Sequence, residues 1–153
     1  MNDSMKNFFN PADAAAALAR IQALTPGAKP QWGKMNASQM LAHMNIAMSV
    51  ALGDHKPKRL FIGYLIGRIA KRSLLNDKPF MKGAPTDPAW KCEGQYNFDE
   101  QKSQLIHYVQ RISSGGASAL TNHPHPFFGR LTPSEWSQGM YKHLDHHLRQ
   151  FNV

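Results

Sequence analysis

"TPSEWSQGMYKHLDHHLRQF", residues Thr132 to Phe151, is the stretch on which the fold class turns. Thr132 can cap a helix, Pro133 is tolerated at the first helical position, and Glu135 closes a capping box, so a helix is predicted to start near Pro133. At about 100° per residue, Trp136, Met140, His143, His147 and Phe151 fall within roughly 80° of one another and form one inward stripe. Leu144 and Leu148 widen that stripe, whereas Lys142, Asp145 and Arg149 fall on the other faces as solvent contacts. His146 lies nearer the edge. A buried imidazole costs desolvation unless something bonds it, and two of them one turn apart can converge on one ion, the spacing of zinc-binding H-x-x-x-H helices. The residues alone leave two readings open: hydrogen-bonded core histidines, or a shared metal.

Working back along the chain, the same period recurs and no stretch alternates with period two for long enough to argue a sheet. Asn10-Pro11-Ala12-Asp13 opens a helix that runs to about Leu24, where Thr25-Pro26-Gly27 stops it. Asn36-Ala37-Ser38-Gln39 starts a second, with Met40, Met44, Ala47, Met48 and Ala51 at helical spacing to about Leu52. Arg59 to Leu75 reads as a third, apolar nearly all round, with Lys71 and Arg72 at the end its dipole favours. Asn76 to Phe98 is a long Pro- and Gly-rich loop, too long for a simple connection. Asp99 is expected to cap a fourth helix, striped by Leu105, Ile106, Val109 and Ile112 and ended by Ser113-Ser114-Gly115-Gly116. A second long loop carries His123-Pro124-His125-Pro126-Phe127-Phe128-Gly129. The expectation is an all-α chain forming a single domain over residues 1–153, a four-helix bundle with long loops and an extra short or broken helix.

Composition narrows the function. A hydrophobic fraction of 42% excludes a wholly disordered chain, and the longest apolar run, Leu60 to Ile69, is too short and too interrupted to span a bilayer. Residues 1–13 lack the pattern of an export signal, so a cytoplasmic location is expected, with no membrane partner. The single Cys92 has no partner for an internal disulfide or a thiolate cluster, and reads as an inert thiol; a metal would need His, Asp or Glu. The net charge of +8 would suit phosphate, but the cations are spread out except at 56–59 and 68–72, without interleaved aromatics. Nucleic-acid binding is therefore not expected. Gly63-x-x-x-Gly67 would let the third helix pack closely on another helix or on a second subunit, so a homodimer is an open expectation, with contact at a membrane surface a minor alternative.

His43 also faces inward, between Met40, Ala47 and Val50 on its wheel. If that helix packs beside the last one, three imidazoles meet. Three neutral His nitrogens with an open fourth position describe a catalytic divalent-metal site, zinc first, with nickel or iron acceptable to the same ligands. His123 and His125 read as residues of a structural turn before the last helix, with the mouth of a pocket as the alternative, Trp32 and Trp136 as core, with pocket wall as the alternative, and Asp145 and Glu135 as surface and capping residues.

Trp32-Gly33-Lys34-Met35, Ser38-Gln39-Met40-Leu41-Ala42-His43, His125-Pro126-Phe127-Phe128-Gly129, Leu131-Thr132-Pro133, Trp136 and His143-Leu144-Asp145-His146-His147, in that order, resemble the DinB/YfiT-like metalloenzyme superfamily. The likeness is nearest to a branch of unknown function and covers nearly the whole chain. It implies a helical bundle holding a divalent metal through one His of the second helix and an H-x-x-x-H pair of the last, roles that map onto His43, His143 and His147. It also implies a reaction on a small molecule in which the metal activates a water or a low-molecular-weight thiol, as in a thiol transferase or a hydrolase, because thiol S-transferases and a thiol-dependent isomerase belong to that superfamily. A non-catalytic bundle, whose histidines or metal stabilise the fold or a homodimer, is the alternative.

Overall fold

The computed structural model describes residues 5–84 and 86–153; residues 1–4, the start of the segment examined for an export signal, and residue 85 in the long loop lie outside it. Five α-helices follow one another: α1 (Pro11–Ala23), α2 (Ala37–Leu52), α3 (Phe61–Leu74), α4 (Phe98–Gly115) and α5 (Pro133–Gln150). Among the described residues there is no strand, only an isolated antiparallel bridge between His125 and Gly129. Single 3-10 turns sit at Pro88–Trp90 and Gly116–Ala119.

The caps explain most boundaries. Asn10 Oδ1 accepts from the Ala12 N–H at 2.9 Å, ahead of Pro11. Asn36 and Gln39 form the reciprocal box of α2, and Thr132 and Glu135 that of α5. Gly53, with φ +77°, ends α2 in the left-handed conformation that glycine adopts without strain. The expected cap at Asp99 is corrected: Asn97 is the N-cap and accepts from the Glu100 N–H, which leaves Asp99 and Glu100 in the first turn, where the helix dipole favours them.

Helices α1, α2, α4 and α5 enclose one apolar core. Helix α2 packs against both α4 and α5, and α1 touches the same two. It is α2 that is buried on almost every face; Met40, Met44 and Met48 run one turn apart along it and are shut off from solvent. The end of α5 is tied to α1 by Arg20, which meets Asp145 at 2.6 Å and donates to the Val153 carbonyl.

Helix α3 departs from expectation. Read as apolar nearly all round, it lies on the outside, two residues shorter at its start than expected and one shorter at its end. Only Gly63, Gly67 and Leu74 are buried. The two glycines bring its backbone against the main chain of Pro126 and Phe127, where a Cβ on Gly63 would come within 2.6 Å of the Phe127 carbonyl oxygen. The Gly63-x-x-x-Gly67 pair is thus used up on the chain's own loop, not on another helix or subunit. Leu60 N–H to the Pro126 carbonyl, Lys71 to the Arg130 carbonyl and the Lys71–Glu135 ion pair complete the attachment. No described helix is long and apolar enough to cross a membrane.

Candidate metal centre

The packing of α2 against α5 brings His43, on the second turn of α2, up to the His143 and His147 ridge of α5. Their ring nitrogens supply one candidate ligand atom each, all within 4.8 Å of one another. His143 Nε2 stands 3.0 Å from His43 Nε2 and 3.1 Å from His147 Nε2. Two nitrogens bound to the same tetrahedral zinc stand about 3.3 Å apart, from a metal–nitrogen distance near 2.0–2.1 Å. Both spacings from His143 are within a few tenths of an ångström of that. His43 and His147 are buried residues and His143 an intermediate one, so the cluster is closed on the core side.

The outer nitrogens settle the tautomers. His43 Nδ1 lies 2.9 Å from the Trp90 carbonyl oxygen, which can only accept, so Nδ1 carries the proton and Nε2 presents its lone pair inward. On α5, the Gln150 amide donates through Nε2 to the Trp32 carbonyl at 2.7 Å, and this orientation leaves its Oε1 to accept from His147 Nδ1 at 2.8 Å. His147 Nε2 is therefore also a bare lone pair. A proton on His143 Nε2 can satisfy one of these two neighbours, not both, and the other lone pair is left facing nitrogen in a buried place. A cation satisfies all three. The residues present fit a divalent metal, and the two outer hydrogen bonds are of the kind that fix ligand rings around one.

Burial sets the charge state. It holds the His147 imidazole down to about 3, reinforced by His43 and opposed by the Gln150 hydrogen bond. His143 is pushed well below its ordinary value by burial and then by His147 and His43. Burial also lowers His43, against the Trp90 hydrogen bond. All three are neutral at neutral pH, the form that ligates.

Several supporting residues left little trace in the sequence. Trp90 sits in the 3-10 turn of the long loop, and no periodicity marks its carbonyl as a partner for His43. Gln150 was legible in principle, three residues past His147 on the same helix. Gly33, at φ +78°, lets the chain pass so close that a Cβ there would stand 2.8 Å from Gln150 Nε2. His125 belongs to the turn: its Nδ1 accepts from the Phe127 and Phe128 N–H groups at 3.0 and 3.2 Å, and its ring packs on Trp90, Phe128 and Trp136. Burial, with Arg59 adding to it, holds that imidazole down to about 3. His123 bonds the Pro124 carbonyl and stays apart from the cluster. Cys92 is buried, and burial pushes its thiol up, away from the reactive thiolate.

A cleft of about 270 Å³, which none of His43, His143 and His147 lines, opens between Trp32, Phe80, Lys82, Lys142, Asp145, His146 and Arg149. Trp136 is core, whereas Trp32 takes the alternative role: it is half-buried and forms a wall of this cleft, with its ring 5.5 Å from that of His146 and Lys82 Nζ 4.5 Å above it. Phe80 spans the boundary, its centroid 6.3 Å from His143 and 5.8 Å from His146. The carboxylate nearest in sequence to the histidines, Asp145, is engaged by Arg20 and Arg149.

Among known protein families, one matches residues 1–153, and its description is "Protein of unknown function (DUF1569)". The chain belongs to the DUF1569 family. No curated protein and no solved structure matches it. For this DUF1569 protein, what is established is a helical chain with three histidines placed to hold a metal ion; its metal and its chemistry are matters of proposal.

Proposed function

We propose that this protein is a divalent-metal-dependent enzyme of the DinB/YfiT-like type, a four-helix bundle of α1, α2, α4 and α5 with His43, His143 and His147 as its metal ligands. One observation carries the reading: three Nε2 atoms converge with more lone pairs than protons can satisfy. Three protein ligands and an open position are the pattern of catalytic sites, whereas structural zinc sites are closed by four. A divalent cation there, zinc by ligand chemistry with nickel or iron as alternatives, would supply the Lewis acidity that makes a water or a low-molecular-weight thiol nucleophilic near neutral pH.

The chain's own contribution is orientation and exclusion. Trp90 and Gln150 hold the His43 and His147 rings with their lone pairs inward. Phe80 and Trp32 provide an apolar bed for a small electrophilic molecule, and Lys82 lies over it. Asp145 is engaged by two arginines, so the reaction rests on nucleophile activation and positioning, without a carboxylate base.

Elemental analysis of protein purified without an affinity tag tests this. About one equivalent of divalent metal is expected, lost in both His143→Ala and His147→Ala, and unchanged stoichiometry in the two variants would overturn the assignment. In cobalt-substituted protein, low-molecular-weight thiols are expected to change the visible spectrum. A spectrum indifferent to every thiol and substrate analogue, together with a large drop in melting temperature on chelation, would favour a metal that only stabilises the fold.

A further inference from the structure

The outer face of α3 is covered by nothing among the described residues. Phe61, Tyr64, Leu65 and Ile69 are 80, 66, 64 and 68% exposed, and Ile62 and Ile66 are close to half exposed. At helical spacing, Phe61, Leu65 and Ile69 form one ridge, Ile62 and Ile66 a second beside it, and Tyr64, Arg68 and Arg72 a third on the opposite flank. The inward strip is Gly63, Gly67 and Leu74, committed to the Phe127 loop and to Gly139. An apolar patch of this extent on a monomer marks an interaction site.

The charges choose the occupant. Between residues 55 and 76 there is no Asp or Glu, and there are six cations: Lys56, Lys58, Arg59, Arg68, Lys71 and Arg72. Lys71 is paired with Glu135, and Arg59 is folded over the Tyr64 ring at 4.2 Å. Among the described residues Lys56, Lys58, Arg68 and Arg72 are in no ion pair. A second copy docked on the same face would set these cations against their own duplicates. Nucleic acid would complement the charge but not five aliphatic and aromatic side chains in two ridges. An anionic bilayer surface complements both, the chains entering the acyl boundary while the arginines stay among the headgroups.

We propose that α3 is a docking helix that lays the Phe61–Leu65–Ile69 and Ile62–Ile66 ridges onto a lipid bilayer carrying anionic headgroups. Its 14 residues span about 21 Å, short of the roughly 30 Å hydrocarbon core, so it lies in the surface and does not cross. The sequence-based expectation of no membrane partner leaves surface contact only as a minor alternative, because a helix apolar nearly all round does not show which side its glycines turn inward. It does not depend on the proposed chemistry of the histidine site.

The test is co-sedimentation of the full chain with vesicles of phosphatidylcholine alone and of phosphatidylcholine mixed with phosphatidylglycerol. Binding is expected to the mixed vesicles and to be at least about tenfold weaker without the anionic lipid. Phe61→Ser combined with Leu65→Gln, both on the exposed ridge, is expected to weaken binding by at least about tenfold with the helical circular dichroism unchanged. Arg68→Gln with Arg72→Gln is expected to weaken it by about thirtyfold on anionic vesicles and to flatten the salt dependence. Equal binding to both vesicle types, or none, overturns the proposal. So does a dimer in vesicle-free solution that Phe61→Ser with Leu65→Gln dissociates, which would assign the face to a second copy.

Discussion

Acidifying the metal-free protein from pH 7 to pH 5 is expected to remove about 4 kcal/mol of folding stability through two histidines alone. His125 and His147 are each held down to about 3 in the folded chain by burial, against an ordinary value of 6.5. Above pH 6.5 both are neutral whether the chain is folded or not, and they contribute no pH dependence. Below it the unfolded chain takes up protons that the folded chain refuses, so stability falls with pH until the folded value near 3 is reached. At pH 5 the unfolded histidine lies 1.5 units below its midpoint. At about 1.4 kcal/mol per unit each residue costs about 2 kcal/mol. His43 and His143, lowered in the same direction, add to the loss. Against a total of roughly 5–15 kcal/mol for a domain, that is enough to bring the unfolding midpoint into mildly acidic solution. Urea titrations with chelator present, at pH 7, 6 and 5, measure it directly. In His147→Gln the slope of stability against pH near 5.5 is expected to shallow by about one proton. A change below about 1 kcal/mol between pH 7 and 5 would refute the reasoning, because buried neutral imidazoles cannot give a flat profile.

Two further expectations rest on single contacts. Gln150→Ala removes the acceptor that holds His147 Nδ1–H and the donor to the Trp32 carbonyl, and is expected to weaken metal affinity by about 10–100-fold, measured by competition with a chromophoric chelator. Gly67→Ala places a Cβ hard against the Phe127 carbonyl oxygen, which belongs to backbone and cannot rotate away, so denaturant melts are expected to lose about 1–3 kcal/mol.

Much of this architecture was legible in the sequence because its signals are local. Asn10, Asn36 and Thr132 each precede a periodic run by the spacing that capping demands, and all three cap in the structure. The facing of His43, His143 and His147 followed from the same periodicity, though the distance between the two helices did not. Three things were not legible, for a common reason. The sidedness of α3 depends on a loop more than fifty residues away, Trp90 serves through a main-chain oxygen that any residue would carry, and Trp32 became a cleft wall because Phe80 and His146 come to stand beside it. Asn97 and Asp99 are both good caps, and only the turn geometry chooses between them.

The buried file of Met40, Met44 and Met48 bears on how the molecule ages. Thioethers are soft, fill irregular space well, and are the side chains most readily turned polar by peroxide. Packed where oxidants do not reach, these three are spared, whereas Met81 stands 73% exposed in the long loop, where gaining an oxygen disturbs no packing. Oxidative wear should accordingly be recorded on the surface first, as a mass increment at Met81, while the centre of the helical array keeps its shape.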